Sequence, residues 1–314
     1  MIREFRRADA NAVVGFLTSQ FPAEEALMGS RPERFFKVIE RVSRWDLRLA
    51  FALLRLGGKR MFQFLVYEDN GRLVGTTLLT FPAHSVYLSM VVIDPTVRRR
   101  GYAKALLEQA QATAHRMHRK FMVLDVLADN APARALYEGK LGYRPLRETT
   151  FMSREKPADV GPEPATLPVG IRPFRKSDNA PLVAIARRHV PPEVETVLPV
   201  PKQLMGGTRT GNRIMGSESA AWVVDRGAGP EALIVATSAP DAEAGHLSDP
   251  IVSETTDPAL ARALLRTALA WIGARGQVRA LSSVPRYNAT ARTALEAEGF
   301  HDALSVWTLY RPVD

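Results

Sequence analysis

The 314-residue chain contains no cysteine. That excludes disulfides, thiolate metal ligands and a covalent cysteinyl acyl-enzyme, and it suits a reducing compartment. Histidine is scarce at six residues, of which only His115 and His118 lie close together, without H-x-x-x-H or H-x-E spacing, so no metal site is expected. No G-x-x-x-x-G-K-[ST] loop occurs, and no glycine-rich dinucleotide fingerprint. Long apolar runs are also missing. The most apolar stretch, near 35–56, is interrupted by Arg41, Arg44, Asp46, Arg48 and Arg55, too many charges to cross a bilayer. Met1-Ile2-Arg3-Glu4-Phe5 lacks the apolar core of a signal peptide, and the expectation is a soluble cytoplasmic protein with no membrane partner.

What is present is globular: 46% hydrophobic and 24% charged residues, with length enough for two domains. The net charge of +9 is unevenly placed. Residues 1–157 hold 26 basic and 16 acidic residues, whereas residues 158–314 hold 16 and 17. A basic half suits a ligand carrying several phosphates. Nucleic acid is the lesser alternative, because the arginines are scattered over helices and turns without a reader module.

The organising stretch is Val91-Val92-Ile93-Asp94-Pro95-Thr96-Val97-Arg98-Arg99-Arg100-Gly101-Tyr102-Ala103. The β-branched run reads as a buried strand. Pro95 ends it for want of an N–H, and the residues after Gly101 read as a helix. Strand, basic turn and helix start form an anion site, because the first helical N–H groups have no internal partner and the macrodipole makes that end positive. Arg98-x-x-Gly101-x-Ala103 after such a strand resembles motif A of the GNAT family of acyl-CoA N-acyltransferases, which grips the pyrophosphate of coenzyme A. Downstream, Leu124-Asp125-Val126-Leu127-Ala128-Asp129-Asn130 leads through a helix with Tyr137 to Leu141-Gly142-Tyr143, which resembles motif B of that family.

The resemblance implies a mixed α/β fold, acetyl-CoA as cofactor with coenzyme A as product, and transfer of acetyl to a primary amine of a small molecule or peptide. It also implies roles. Backbone groups of Val92 and Ile93 would hold the pantetheine arm and the thioester carbonyl. Arg98, Arg99, Arg100, Gly101, Tyr102 and Ala103 would surround the pyrophosphate, Asn130 would hold the pantetheine arm, and Tyr137 would be the general acid. Tyr137-Glu138-Gly139-Lys140-Leu141-Gly142-Tyr143 is one residue longer than the common form, so a bulge or an early helix end is expected there. No general base can be read: the motif A strand offers Tyr87, Ser89 and Met90, His84 and Glu68 read as surface residues, and Asp125 reads as a structural carboxylate in need of partners. The identity of the amine, the acyl preference and the oligomeric state stay open, a homo-oligomer included. A non-catalytic acyl-CoA-binding regulatory module stands as the alternative to an enzyme.

Along the chain, strands are expected at 2–7, 61–68, 72–81, 85–93 and 121–127, with Asn70-Gly71 as a hairpin turn. Helices are expected after Asp9, from Ser30 through Phe35, Phe36, Val38, Ile39, Val42 and Trp45, from Gly101 to His118, and over 131–141. Two strands follow, near 143–146 and 149–154. Residues 157–168, rich in proline, read as a linker. The chain then restarts: Ile171-Arg172-Pro173-Phe174-Arg175-Lys176-Ser177-Asp178 matches Ile2–Asp9 at five of eight positions. Strands near 220–225, 233–237 and 278–284, a helix over 258–274 and a second Asn–helix–Gly-aromatic run from Asn288 to Phe300 complete a copy. Residues 191–216 show no pattern. The expectation is two tandem GNAT-like domains, each a mixed sheet flanked by helices: 1–156 catalytic and 169–314 degenerate. Ser253-Glu254-Thr255-Thr256-Asp257 stands where the first copy has its arginines, and Leu295 stands where it has Tyr137.

Overall fold

The computed structural model describes residues 1–18, 62–205, 212, 216–240 and 242–313. The helix expected from Ser30 through Trp45 lies outside the described residues. In chain order the elements are β1 (Ile2–Glu4), α1 (Ala10–Thr18), β2 (Phe62–Asp69), β3 (Arg72–Thr80), β4 (Ser85–Ile93), α2 (Tyr102–Arg116), β5 (Phe121–Leu127), α3 (Ala131–Arg134), β6 (Arg144–Glu155) and β7 (Ile171–Pro173). There follow α4 (Asn179–His189), α5 (Pro192–Val197), β8 (Glu218–Asp225), β9 (Pro230–Ser238), β10 (Ala244–Leu247), β11 (Ile251–Val252), α6 (Pro258–Gly273), β12 (Arg279–Pro285), α7 (Ala289–Ala297) and β13 (His301–Pro312). The described residues fall into two compact units: 1–18, 62–146 and 307–313 in the first, the rest in the second. The division falls inside β6, after Leu146, and inside β13, after Val306.

In the first unit β1, β2, β3 and β4 pair antiparallel in that order, and β4 pairs parallel with β5. Residues 307–312 of β13 lie beside β5, where Val313 N–H donates to Lys120 O at 2.9 Å and Tyr310 meets Phe121 edge-on at 6.0 Å. Neighbouring strand residues point to opposite faces. Leu65 joins Leu79, Leu88, Met122 and Leu124 under Leu106, Leu107, Ala110 and Ala114 of α2, whereas Val66 joins Val92 and Val13 of α1. Each fully buried leucine of this kind contributes about 1.5–3 kcal/mol. The β2–β3 hairpin turns on Asn70 (φ 49°) and Gly71 (φ 77°), as its sequence demands.

The second unit repeats the plan: β7, β8, β9 and β10 pair antiparallel, β11 adds to β9, and β10 pairs parallel with β12. Residues 149–155 of β6 then pair with β12, and residues 301–306 of β13 follow β6. Helix α6 crosses over between β10 and β12 and buries Leu264, Leu265, Ala268, Leu269 and Ile272 against Ile234, Leu247 and Ala280.

The restart at Ile171 is structural as well. Arg3 clamps Asp9 through two bonds of 2.7 and 2.8 Å and Glu68 at 2.7 Å. Arg172 clamps Asp178 at 2.8 and 2.9 Å and Asp225 at 2.6 Å. In both copies the carboxylate that ends the 3-10 turn also takes a backbone N–H, Arg6 to Asp9 and Arg175 to Asp178, each at 2.7 Å. Asp9 therefore serves this clamp from within a 3-10 turn, and not as the α1 cap expected of it.

Three further expectations change. The two strands near 143–154 are one strand of 12 residues, β6. The proline-rich stretch is packed: Pro157–Val160 forms a 3-10 turn with Pro157 buried, Lys156 N–H donates to Val278 O at 2.9 Å, and a Cβ on Gly273 would sit 2.7 Å from Ala158 Cα. The patternless stretch holds α5, which buries Val194 and Val197.

Candidate functional site

In the first unit β4 is not regular. Thr76 of β3 faces Val92, but Leu78 faces Ser89, so β4 carries one residue more than its partner, and Met90 stands at φ 53°. A left-handed non-glycine residue costs about 1–3 kcal/mol and persists where its surroundings hold it. Here Thr76 Oγ1 donates to Met90 O at 3.1 Å and Thr77 Oγ1 to Ser89 O at 3.3 Å. Beyond this bulge β4 leaves β5: among the described residues their parallel pairing runs from Ser85–Phe121 to Leu88–Leu124.

Which backbone groups face the gap follows from alternation along an antiparallel pair. Asp94 N–H donates to Val74 O at 2.9 Å, so Val92, two residues earlier, also turns its polar groups to β3. Val91 and Ile93 turn theirs to the parted side, where Arg98 Nε donates to Ile93 O at 3.2 Å. Of the two residues the motif singles out, Ile93 faces the gap with its backbone and Val92 packs its side chain beside Val13. Val91 has the parity of Ile93, and sequence reasoning had passed it over.

Asp94 closes the strand. Its carboxylate accepts from Thr96 Oγ1 (2.7 Å) and Thr96 N–H (2.8 Å) and pairs with Arg72. The Thr96 hydroxyl first, then its N–H, hold the Asp94 carboxyl below the usual carboxylate range. The 3-10 turn Pro95–Val97 leads to Arg98, Arg99 (φ 69°), Arg100 and Gly101 (φ 85°), all exposed. Only glycine takes that last conformation without strain, and α2 begins directly after it with no side-chain cap. The first intrahelical bond is Ala105 N–H to Gly101 O at 3.0 Å, which leaves the N–H groups of Tyr102, Ala103 and Lys104 open at the positive end of a 15-residue helix. The Tyr102 side chain turns away: its hydroxyl donates to Asp69 at 2.7 Å and its ring lies 4.6 Å from Tyr67, so it offers the site only its backbone.

Asn130 caps α3, its Oδ1 accepting from Ala133 N–H at 3.2 Å, and the residue is exposed. After α3 the chain widens into a π-turn, Ala135–Lys140. This is how the extra residue marked by Gly139 is taken up, since a π-turn holds one more residue than an α-turn. Tyr137 sits within it, 7% exposed, its ring 5.9 Å from Tyr143. Among the described residues its hydroxyl has no hydrogen-bond partner, and burial pushes its pKa up to about 12. No group of three or more His, Asp or Glu among the described residues is placed to hold a metal ion.

Residues 25–143 match the family model described as the acetyltransferase (GNAT) family. The match covers 119 of the chain's 314 residues, all within its N-terminal half. No match was found among curated proteins. Among solved structures, a tandem GNAT protein from the clavulanic acid biosynthesis pathway is 17% identical with a TM-score of 0.63, covering 100% of this chain and 98% of that one. A GCN5-related N-acetyltransferase from Sphaerobacter thermophilus is 18% identical with a TM-score of 0.64, covering 100% and 95%. At such identities the likeness is one of fold, and it extends over both GNAT-like units.

The second unit departs from the first unit's arrangement in three places. Its β10 is followed by Asp249-Pro250, as β4 is by Asp94-Pro95, a correspondence sequence reading missed because β11 is inserted before the helix. Asn288 caps α7 as Asn130 caps α3, with Oδ1 accepting from Ala291 N–H at 3.2 Å, but its amide donates to Asp249 Oδ1 at 2.8 Å and to Pro250 O at 3.2 Å. The gap between the two strand ends is thus bridged by the unit's own side chains. Asp257 caps α6 by accepting from Ala259 N–H at 2.8 Å, so a carboxylate occupies the end that α2 leaves open. Leu295, seven residues after Asn288, is fully buried.

Proposed function

We propose that the chain is an acyl-CoA-dependent N-acyltransferase that moves acetyl from acetyl-CoA to a primary amine of a small molecule or peptide within a ternary complex. One observation carries this reading: the bulged, parted β4 turns the backbone of Val91 and Ile93 toward the gap, beside an uncapped α2 whose approach is lined by Arg98, Arg99 and Arg100. A polar backbone edge next to a positive helix end fits a thioester arm ending in a pyrophosphate. In this reading the N–H groups of Tyr102, Ala103 and Lys104 receive the pyrophosphate, the amide of Asn130 reaches the pantetheine arm, and the Val91 and Ile93 backbone orients and polarises the carbonyl.

Tyr137 then supplies the proton. With a pKa pushed up to about 12 it stays protonated across the working range, and it yields its proton only as negative charge collects on the departing sulfur. The absence of cysteine excludes a cysteinyl intermediate. We further propose that residues 1–156 and 169–314 are two copies of one domain joined by 157–168, and that the second copy, with Asp249, Asn288 and Asp257 filling its site, takes no cofactor.

Calorimetric titration of acetyl-CoA into wild type, an Arg98→Ala/Arg100→Ala double variant and Tyr137→Phe tests this. The expected result is one site per chain, lost with the arginines and kept without the phenol. Two sites per chain would refute the reading of the second copy, and no binding would refute the transferase.

A further inference from the structure

The proposed site leaves one polar cluster of the first unit unused. Tyr87 of β4 pairs in register with Val123 of β5, so Asp125, two residues further along β5, lies on the same face as Tyr87. The last rung joining the strands is Leu88–Leu124. Asp125 is therefore the first residue of β5 past the point where the strands part.

Its carboxylate is held by hydroxyls: Tyr87 donates to Oδ2, and Thr308 Oγ1 donates to Oδ1 at 2.7 Å. Thr308 is 1% exposed while Asp125 is exposed, so an anchored hydroxyl steadies a carboxylate open to solvent. Each carboxylate oxygen accepts more than one hydrogen bond, and both retain capacity. Among the described residues no Lys, Arg or His forms an ion pair with Asp125, although basic residues outnumber acidic by 26 to 16 over residues 1–157. Asp125 has the partners expected of a structural carboxylate, but it is exposed and not buried.

We infer that Asp125 binds a cationic group of the acceptor, an alkylammonium, at the mouth of the parted strands, and that Tyr87 and Thr308 are its positioning residues. Thr308 comes from β13, the last strand of the chain, so the C-terminal segment completes an acceptor subsite in the N-terminal unit. The inference rests on the proposal that the parted strands hold acetyl-CoA.

The full chain would be assayed with acetyl-CoA and three classes of amine: α,ω-diamines such as 1,5-diaminopentane, neutral-tailed monoamines such as pentylamine, and acidic amines such as glutamate. Acetyl-CoA affinity would be measured in parallel by calorimetry. Wild type should prefer the diamines. Asp125→Asn should lower kcat/KM for diamines about 10- to 100-fold, chiefly through KM, as expected for loss of a charged hydrogen bond, and leave acetyl-CoA affinity and the other two classes unchanged. Thr308→Val, a milder change that serves if Asp125→Asn folds poorly, should lower it about threefold to tenfold in the same pattern. Wild-type behaviour of both variants toward every class would overturn the inference and leave the transferase standing. A wild-type preference for monoamines or acidic amines, or turnover of no class by protein that binds acetyl-CoA, would also overturn it. Failure of wild type to bind acetyl-CoA would instead remove the parent reading.

Discussion

Asp249 offers a quantitative test of the reading that the second unit has closed its site on itself. Burial pushes its carboxyl from an ordinary 3.8 up to about 7, a rise that the Asn288 amide and the nearby charge of Arg147 only partly offset. The folded protein then keeps this proton to about pH 7, whereas the unfolded chain releases it near 3.8. Between those values the native state binds more protons, so the contribution is complete below 3.8 and is lost as pH rises through about 7. The slope is about 1.4 kcal/mol per pH unit, and the whole span amounts to at most about 4 kcal/mol. Asp249→Asn keeps an oxygen where Asn288 donates and carries no charge at any pH. Its stability relative to wild type should therefore rise by about 3 kcal/mol between pH 5 and 8, and level off above pH 7.5, by the same linkage. Urea denaturation read by tryptophan fluorescence can follow this, since Trp222 and Trp271 pack against each other in that unit's core at 6.0 Å. A stability difference that does not change with pH, or a variant less stable than wild type at pH 8, would refute the argument.

Arg172→Met would leave Asp178, 3% exposed, without its guanidinium, at a cost of about 3 kcal/mol at pH 7. The arginine holds Asp178 and Asp225 below the usual carboxylate range, so the loss should shrink as pH falls and both protonate, a change that denaturation at pH 7 and pH 4 would reveal. Gly273→Ala would press a Cβ to 2.7 Å from Ala158 Cα, a backbone atom that cannot swing aside, and should cost about 1–3 kcal/mol in denaturant melts. Tyr137→Phe should lower kcat by about 10²–10⁴-fold without altering the shape of the pH–rate profile between pH 6 and 10. A basic limb in that range that vanishes in the variant would contradict a phenol whose pKa lies at about 12.

Strands β2 to β5 and helix α2 of the first unit were legible because hydrophobic alternation, Asn70-Gly71 and Pro95 all agree on them. The extra residue at Gly139 announced an irregular helix, and the π-turn is its physical form. The bulge at Met90 was invisible because positive φ is usually signalled by glycine, and here two threonine hydroxyls stabilise it in place of a permissive residue. The packing of the turn at Pro157–Val160 was not legible for a related reason: proline marks a break in regular structure, not a loss of contacts, and a glycine 115 residues after Ala158 makes room for the turn. Asp125 reads as structural from its place inside a strand, but it stands exposed, one residue past the last β4–β5 rung.

In the proposed reading, the two Asp-Pro steps separate a ligand-binding copy from a silent one. After β4, Asp94 turns its charge inward to Thr96 and Arg72, which stabilises the carboxylate and leaves the three arginines beyond it to face an anion. After β10, Asp249 turns to Asn288, whose amide bridges the two strand ends by donating to Asp249 and to Pro250 O. Past that point the helix ends diverge in the same sense. Gly101 leaves α2 with open N–H groups, while Asp257 occupies those of α6 with a negative charge that would repel phosphate. Each substitution is small and local, and each removes part of the same anion site. Restoring one of them, for instance Asp257→Gly, should therefore not create coenzyme A binding in the second unit, because the Asp249–Asn288 bond and the missing arginines still stand against it.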